Sequence, residues 1–362
     1  MDPSKAQQLL RRHRLANQRL TGEPFASAVE AVQHLGAVQA QDYAAAKWAV
    51  AQRTTAATDE TLERAIDHGQ ILRTHVLRPT WHLVAARDIK WMLALTGPRI
   101  AAGLVSMWRR SGLDVLFKRS NNAIVKALGE GEHLTRAELA EILRRSRIDV
   151  GSTERLGHIM LRAELDAIIC SGARRGKQST YALLEARAVD AVTLTRDEAL
   201  RELAIRYFST RGPATAKDFS WWSGLTVTDA RKAARLADDL LSLETIDGSE
   251  MWVGKNTPPI ARGASVHLLP NFDEFLVAYA DRTAMAGALG ALNSAEAKRA
   301  IFSNVIEING QVAGTWQRTL ARNHVSVELA PRRTVTAAER KAIGAQVQRY
   351  GEFIGLKSEI VE

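Results

Sequence analysis

The sequence predicts an α+β protein, mainly helical, in which helices followed by a short β-hairpin occur three times before a β-rich C-terminal segment. Two observations support this class. Apolar residues recur at helical spacing through most of the first 255 residues, and strand-like runs with turn residues interrupt them. The last hundred residues contain mostly strand patterns. These features divide the chain into four parts, 1–125, 126–190, 191–260 and 261–362.

The first part changes from helical to strand patterning about halfway along. An alanine-rich stretch at 44–52 predicts a helix, and a shorter helix begins near Thr58 and is stopped by Gly69. Residues 71–84 are rich in β-branched and apolar side chains around Pro79, which predicts one or two short strands broken at the proline. Helices followed by a strand pair indicate a helix-turn-helix with a wing, although other small α+β folds fit as well.

The second and third parts repeat this order. In the second part, a capping box of Thr135 and Glu138 starts one helix, a longer helix covers 154–170, and Gly176 marks a hairpin. In the third part, helices precede an Asp-Gly turn between two strand-like runs, which is a strong hairpin signal. We therefore predict three tandem winged-helix units.

The last part has a different pattern. The runs SVHLL, SNVIEI and VSVEL predict strands, and Asn309-Gly310 predicts a hairpin turn. Thr336 and Glu339 form a capping box before a final helix. This part is predicted as a small β-rich domain with a terminal helix.

Composition narrows the class of protein. The 362 residues are enough for about two to four domains. With 46% hydrophobic and 25% charged residues, the chain resembles ordinary globular proteins. We expect no membrane span and no secretory signal, because no apolar run is long enough. The single cysteine, Cys170, excludes an intramolecular disulfide, and a cytoplasmic location is expected.

The charge distribution points to an acidic partner. The chain carries a net charge of +9, and residues 1–125 hold 17 basic and 10 acidic residues, which is +7 of that excess. A basic segment of this kind often contacts phosphate, although net charge alone is weak evidence.

Signatures of cofactors and metals are missing from the sequence. The run 172–177, GARRGK, is one residue too short for a phosphate-binding P-loop and lies in a predicted hairpin. The nine histidines are scattered without the spacing of metal ligands. We therefore expect neither a cofactor nor a metal.

Several stretches together resemble one family. The run Val38-Gln39-Ala40-Gln41 resembles the Gln-x-Gln motif of the AlkZ/YcaQ-like DNA glycosylases, which are also grouped with winged-helix DNA-binding proteins. Further stretches match that family in the same order, namely LRPTWHLV, RGPATAKDFSWWSGL, NFDEFLVAYADR and GQVAGTWQR. The resemblance implies tandem winged helices and a C-terminal β-barrel-like domain in a C shape around duplex DNA. It also implies hydrolysis of the N-glycosidic bond of alkylated purines, notably N7-alkylguanine, and in some members the unhooking of interstrand crosslinks.

The resemblance assigns catalysis to Gln39 and Gln41, which match the double-glutamine form of the motif. An extended backbone would place both side chains on one face, with Asp42 pointing away. Neutral amides suit an alkylated purine, because its positive charge makes the base a good leaving group. Each carbonyl can still orient water and stabilise positive charge on the sugar. The alternative is that both glutamines only cap the following helix.

Two further groups are candidates for contact with DNA. Thr80 and His82 share a predicted strand face and Arg78 lies in the same strand, while a histidine packed against the backbone is an equal alternative for His82. The second group is the basic hairpin with Arg174, Arg175 and Lys177, which are candidates for contact with phosphate. The alternative is that this hairpin is only a solvated turn. The third hairpin carries acidic residues and is expected to be structural. Four tryptophans are expected in the core, Trp221, Trp222, Trp252 and Trp316.

The sequence thus predicts a monomeric, cofactor-free, monofunctional DNA glycosylase that acts on double-stranded DNA containing alkylated bases. No obvious catalytic lysine lies near the motif, which favours hydrolysis over Schiff-base chemistry. The alternatives are a non-catalytic winged-helix transcriptional regulator and an inactive scaffold. A regulator usually dimerises and reads a palindrome with a basic recognition helix. The corresponding helix of the third part mixes basic and acidic residues, which makes it a poor candidate for that role.

Overall fold

Helices and strands alternate along the chain in a computed structural model that describes residues 3–129, 131–287 and 302–361. The protein is α+β. In the first half the elements are α1 (Pro3–Asn17), α2 (Ala28–Leu35), β1 (Val38–Gln39), α3 (Tyr43–Ala51), α4 (Asp59–Asp67), β2 (Ile71–His75), β3 (Trp81–Ala85), α5 (Ile89–Arg110), α6 (Phe117–Leu128), β4 (Leu134–Thr135), α7 (Arg136–Arg145), α8 (Thr153–Leu165), β5 (Ile169–Ser171), β6 (Thr180–Leu183) and α9 (Leu184–Arg187).

The second half begins with helices and ends with strands around a long helix. Its elements are α10 (Arg196–Arg211), α11 (Ala216–Ser223), α12 (Val227–Leu236), β7 (Leu241–Ile246), β8 (Ser249–Gly254), β9 (Val266–Leu269), α13 (Glu274–Val277), β10 (Val305–Ile308), β11 (Gln311–Leu320), β12 (His324–Pro331), α14 (Ala337–Ile354) and β13 (Lys357–Val361).

These elements form two compact units. The larger unit comprises Met1–Glu63, Leu200–Trp222 and Thr226–Glu362, and the smaller unit comprises Arg64–Ala199 and Ser223–Leu225. The boundary after Glu63 falls inside the part predicted as 1–125. The two units do not test the four parts predicted from the sequence, so that division stays a prediction.

The larger unit contains an open five-stranded sheet in the order β13-β12-β11-β10-β9. Neighbouring strands are antiparallel, except that β13 runs parallel to β12. Because β9 and β13 are its edges, the described strands form an open sheet and not a closed barrel. Helix α14 packs on this sheet, where the ring of Tyr350 lies 5.4 Å from that of Trp316 on β11. The rings of Tyr350 and Phe353 also lie 5.1 Å from the ring of Trp48 on α3.

The smaller unit is built around one apolar core between α5, α6, α7 and α8. Fully buried residues such as Ile124, Leu139 and Ile159 meet there, and burial of this kind is the main favourable term in folding. Two antiparallel sheets complete the unit: β2 pairs with β3, and β4, β6 and β5 form the second sheet in that order.

Local signals predicted many elements correctly. The capping boxes at Thr135 and Thr336 are present, and Asn309 and Gly310 take positive φ values of 55° and 79° in the turn between β10 and β11. Pro79 separates β2 from β3, and the turn at Gly176 has φ 59°. Among the described residues, no helix is both long enough and apolar enough to cross a membrane.

Other expectations were wrong. The helix expected over 154–170 ends at Leu165, because Ala167 takes a left-handed φ of 56° and Cys170 lies in β5. Helices α5 and α6 were also not predicted from the sequence. Trp221 is 43% exposed, although Trp222 and Trp316 are in the core as expected. Trp252 is only partly buried, with its backbone bridged to Ala214.

Candidate functional site

The Gln-x-Gln motif lies where β1 ends in the larger unit. Gln39 is the last residue of the strand and retains 6% of its surface, whereas Gln41 is exposed and precedes α3. The regular strand ends at Gln39, so the alternation that predicted both amides on one face does not extend to Gln41. Gln39 therefore belongs to the strand, and Gln41 belongs to the bend between the strand and α3.

A buried carboxylate holds the backbone of the motif. The amide N–H of Gln39 donates to Oε1 of Glu274 at 2.9 Å, and Glu274 is completely buried in α13. Its other oxygen, Oε2, accepts from Trp222 Nε1 at 2.9 Å and from Arg211 Nη2 at 2.6 Å. Both carboxylate oxygens are thus occupied, as a buried charge requires.

Arg211 binds the residues that lead into the motif. Its Nη1 donates to the carbonyl of Leu35 at 2.8 Å, and its Nη2 donates to the carbonyl of Ala37 at 3.0 Å. The guanidinium is fully buried and lies 4.4 Å from the ring centroid of Trp222. The pair of Arg211 and Glu274 therefore hydrogen-bonds to the backbone at three alternate residues, 35, 37 and 39.

Sequence reasoning did not identify this pair as part of the site. One signal was present: NFDEFLVAY places two acidic residues inside an otherwise apolar run, and carboxylates in such a run are usually buried and paired. The partner, Arg211, is 63 residues away in sequence, and no local pattern joins the two.

Asp42 is committed to capping α3. Its Oδ1 accepts the amide N–H of Ala45 at 3.0 Å, and its Oδ2 accepts from Asn271 Nδ2 at 3.3 Å. The N-cap role that the sequence left open for the glutamines thus belongs to the aspartate.

A second buried ion pair fixes the far end of α3. Arg53 donates from Nη2 to Asp273 Oδ1 at 2.8 Å and from Nη1 to Asp273 Oδ2 at 2.9 Å, with both side chains fully buried. Trp48 Nε1 also donates to the carbonyl of Leu268 at 2.8 Å. The helix that follows the motif is therefore fixed by two contacts that do not touch Gln39.

The residues predicted around Pro79 lie in the smaller unit, in and beside the loop between β2 and β3. Arg78 and Thr80 are in the loop and not in a strand, and both are partly exposed. Gly224 supports this loop: its φ is 72°, and a Cβ there would lie 2.3 Å from the carbonyl oxygen of Leu77.

His82 does not fit the predicted contact with DNA. Its side chain is fully buried in β3, and its Nδ1 lies 2.9 Å from the carbonyl oxygen of Thr80. This is the packed arrangement that the sequence left open. Direct contact would require the imidazole to leave the core, so we correct the expectation for this residue.

The basic hairpin of the smaller unit joins β5 to β6. Arg175 and Lys177 are exposed, and Arg174 is partly buried with its Nη2 donating to the carbonyl of Lys177 at 2.5 Å. Arg175 forms an ion pair with Glu138. The hydrogen bond from Arg175, with those from Thr135, lowers the pKa of Glu138 to about 2.

No group of three or more histidine, cysteine or acidic residues could hold a metal within the ranges that the structure describes. The carboxylates closest to the motif, Asp42 and Glu274, are instead engaged with helix and backbone groups.

Comparisons with known proteins agree with the family resemblance and the fold. The family model described as DNA glycosylase AlkZ-like matches residues 32–353. An interstrand DNA cross-link repair glycosylase from Streptomyces sahachiroi is 25% identical over 319 residues, which cover 84% of this chain and 85% of the relative. The solved structure of Streptomyces sahachiroi DNA glycosylase AlkZ superimposes with a TM-score of 0.77 at 24% identity, over 98% of this chain and 99% of that one. Because the family model spans most of its length, the chain belongs to the AlkZ-like DNA glycosylase family and is a hydrolase that acts on N-glycosyl bonds.

Proposed function

We propose that this protein is a monofunctional DNA glycosylase for alkylated purines such as N7-alkylguanine, with Gln39 and Gln41 as its catalytic residues. One observation carries the proposal: the motif presents amides, while the neighbouring carboxylates of Asp42 and Glu274 are occupied by other bonds. Neither of these two carboxylates is free to act as a strong base, which favours substrates that need little acid–base help.

The chemistry of an alkylated purine matches this restriction. When the bond between C1′ and N9 breaks, its electron pair moves into the base and neutralises the positive charge that the N7-alkyl group introduced. The sugar becomes oxocarbenium-like, a water molecule attacks C1′ from the opposite face, and its proton passes to solvent. The carbonyl oxygens of the two glutamines orient that water and stabilise the sugar's positive charge through their dipoles.

The nearest lysine along the chain supports hydrolysis over lyase chemistry. Lys47 is only 4% exposed, and its Nζ lies 2.8 Å from Asp59 and 2.7 Å from Glu63. A Schiff base requires an unprotonated amine that can reach C1′. The amine of Lys47 is instead buried and held by direct contacts with two carboxylates.

We assign double-stranded DNA as the partner and propose phosphate contacts from four basic residues and one threonine that are at least partly exposed. Arg78 and Thr80 lie on one loop, and the hairpin contributes Arg174, Arg175 and Lys177. The order α6, β4, α7, α8, β5, β6, with one sheet of three strands, supports a winged helix in the second part. We retain a monomer and a cytoplasmic location in this proposal.

The crosslink-repair name of the Streptomyces relative supports a further part of the proposal, that this chain also unhooks interstrand crosslinks. The regulator alternative is not favoured, because the family is one of glycosylases.

The direct test is incubation of the wild-type protein with duplexes that carry a single 7-methylguanine or a nitrogen-mustard crosslink, followed by alkaline cleavage. We expect strand breaks at the modified base and none in an unmodified duplex. Footprinting of a defined palindrome without abasic sites in either damaged duplex would support the regulator and reject the proposal.

A further inference from the structure

We infer that Arg211 and Glu274 are positioning residues for the reaction: they set the backbone geometry of the motif so that the Gln39 amide meets the attacking water. This inference rests on the proposed catalytic role of Gln39. It concerns residues that do not touch the substrate and act through the backbone.

The geometry separates this pair from ordinary structural ion pairs. Glu274 receives the N–H of Gln39 itself, and Arg211 donates to the carbonyls of Leu35 and Ala37. Without these bonds, three backbone groups beside the motif would lose partners inside the core. Unpaired buried groups are costly, so the surrounding chain would shift to restore hydrogen bonds, and Gln39 would move with it.

Rigidity at this point matters because β1 contains only two residues. Besides its pairing within a sheet, so short a strand relies on bonds from other segments to define the direction of a side chain. The buried pair supplies that definition from two distant segments, α10 and α13. Misplacing a catalytic group by about 1 Å can lower a rate by about 100-fold.

The neighbouring residue provides a matched control. Asp273 is as deeply buried as Glu274 and also pairs with an arginine, Arg53, but its bonds reach α3 and the N–H of Phe275 and not the motif. Glu274→Gln and Asp273→Asn make the same chemical change one residue apart. Asparagine is also a favourable N-cap residue, so the Asp273→Asn variant should keep helix α13, which carries Glu274, in place.

The experiment measures three quantities for both variants in the full-length protein: the single-turnover excision rate for 7-methylguanine with saturating enzyme, the dissociation constant for the same duplex, and the melting temperature. We expect both variants to melt lower. Only Glu274→Gln should lose about 10- to 100-fold in rate, with the dissociation constant unchanged. Equal rate losses in the two variants, or no loss in Glu274→Gln, would overturn the inference.

A second pair of variants covers the case in which Glu274→Gln does not fold. Trp222→Phe removes the indole donor to Glu274 Oε2 but leaves the groups that bond to the motif's backbone, whereas Arg211→Lys keeps the charge but removes the guanidinium that donates to both carbonyls. A rate reduction larger for Arg211→Lys than for Trp222→Phe supports positioning, and equal rates refute it. If the wild-type protein itself fails to excise 7-methylguanine, the proposed function fails, and that result is separate from any difference between variants.

Discussion

Two glutamates of this protein each bind an arginine, and the difference between them separates the two kinds of region in the molecule. Glu274 is buried, and its bonds fix the backbone of the Gln-x-Gln motif. Glu138 is only partly buried, at the edge of the basic hairpin, and contacts Arg175 at the surface. A buried pair is hard to replace and holds one geometry, whereas an exposed pair exchanges readily with solvent or with a phosphate.

This contrast indicates how the two tasks of a glycosylase are divided. Catalysis requires one fixed geometry, and the motif is held by groups that water does not reach. Binding of the DNA backbone requires positively charged groups but no contact with specific bases. The hairpin carries such groups on the surface of the protein. Three measurements test whether the two glutamates differ in this way.

The largest expected effect is on stability. Replacing Glu274 by alanine leaves Arg211 charged and buried without its partner, which should lower the free energy of unfolding by about 3–5 kcal/mol. Glu138→Ala should change the urea midpoint far less, because water replaces the lost contact. Similar shifts for the two variants would remove the basis of the comparison.

The second effect is on the salt dependence of DNA binding. Replacing Arg174, Arg175 and Lys177 together by alanine should weaken binding and reduce the slope of log K against log[salt] by about 0.9 for each lost phosphate contact. Binding titrations at several salt concentrations measure this slope. The same titration on Arg144→Ala/Arg145→Ala, an exposed pair on α7 that already contacts Glu141, controls for net charge. A triple variant with the wild-type slope would show that the hairpin is only a solvated turn.

The smallest effect is an improvement. Glu138→Gln preserves the capping box, because glutamine serves at that position as well, but it frees Arg175 from its ion pair. DNA binding should tighten by a few-fold with a slightly steeper salt slope.

The pKa of Glu138 predicts how the affinity gained by Glu138→Gln should respond to pH. Since the pKa of Glu138 is lowered to about 2, its charge is present at every pH above about 4 and is lost only as the pH falls toward 2. The ratio of variant to wild-type affinity should therefore stay constant from pH 5 to pH 8. A gain that disappears at pH 5 would mean that another group releases Arg175.

Local chemistry explains which parts of the fold could be predicted. The turn at Asn309-Gly310 and the capping boxes at Thr135 and Thr336 depend on a few adjacent residues, and sequence identifies them. The end of α8 at Leu165 has no glycine or proline to mark it, because Ala167 adopts the left-handed conformation without a typical signal.

The site could be predicted only in part, because local sequence signals do not reveal contacts between distant residues. Gln39 and Gln41 lie two residues apart in a motif that a family resemblance identifies. One bond that holds the backbone of Gln39 comes from Glu274, 235 residues later, and no spacing rule connects such positions. His82 was overestimated because strand alternation predicts the face of a side chain but not whether that face is open to solvent.

The single-turnover excision of 7-methylguanine by the Gln39→Ala/Gln41→Ala protein tests the catalytic assignment itself. We expect a folded protein, because Asp42 and not a glutamine caps α3, and a rate reduced by about 100-fold or more. Excision at the wild-type rate by this double variant would contradict the assignment of catalysis to the two glutamines.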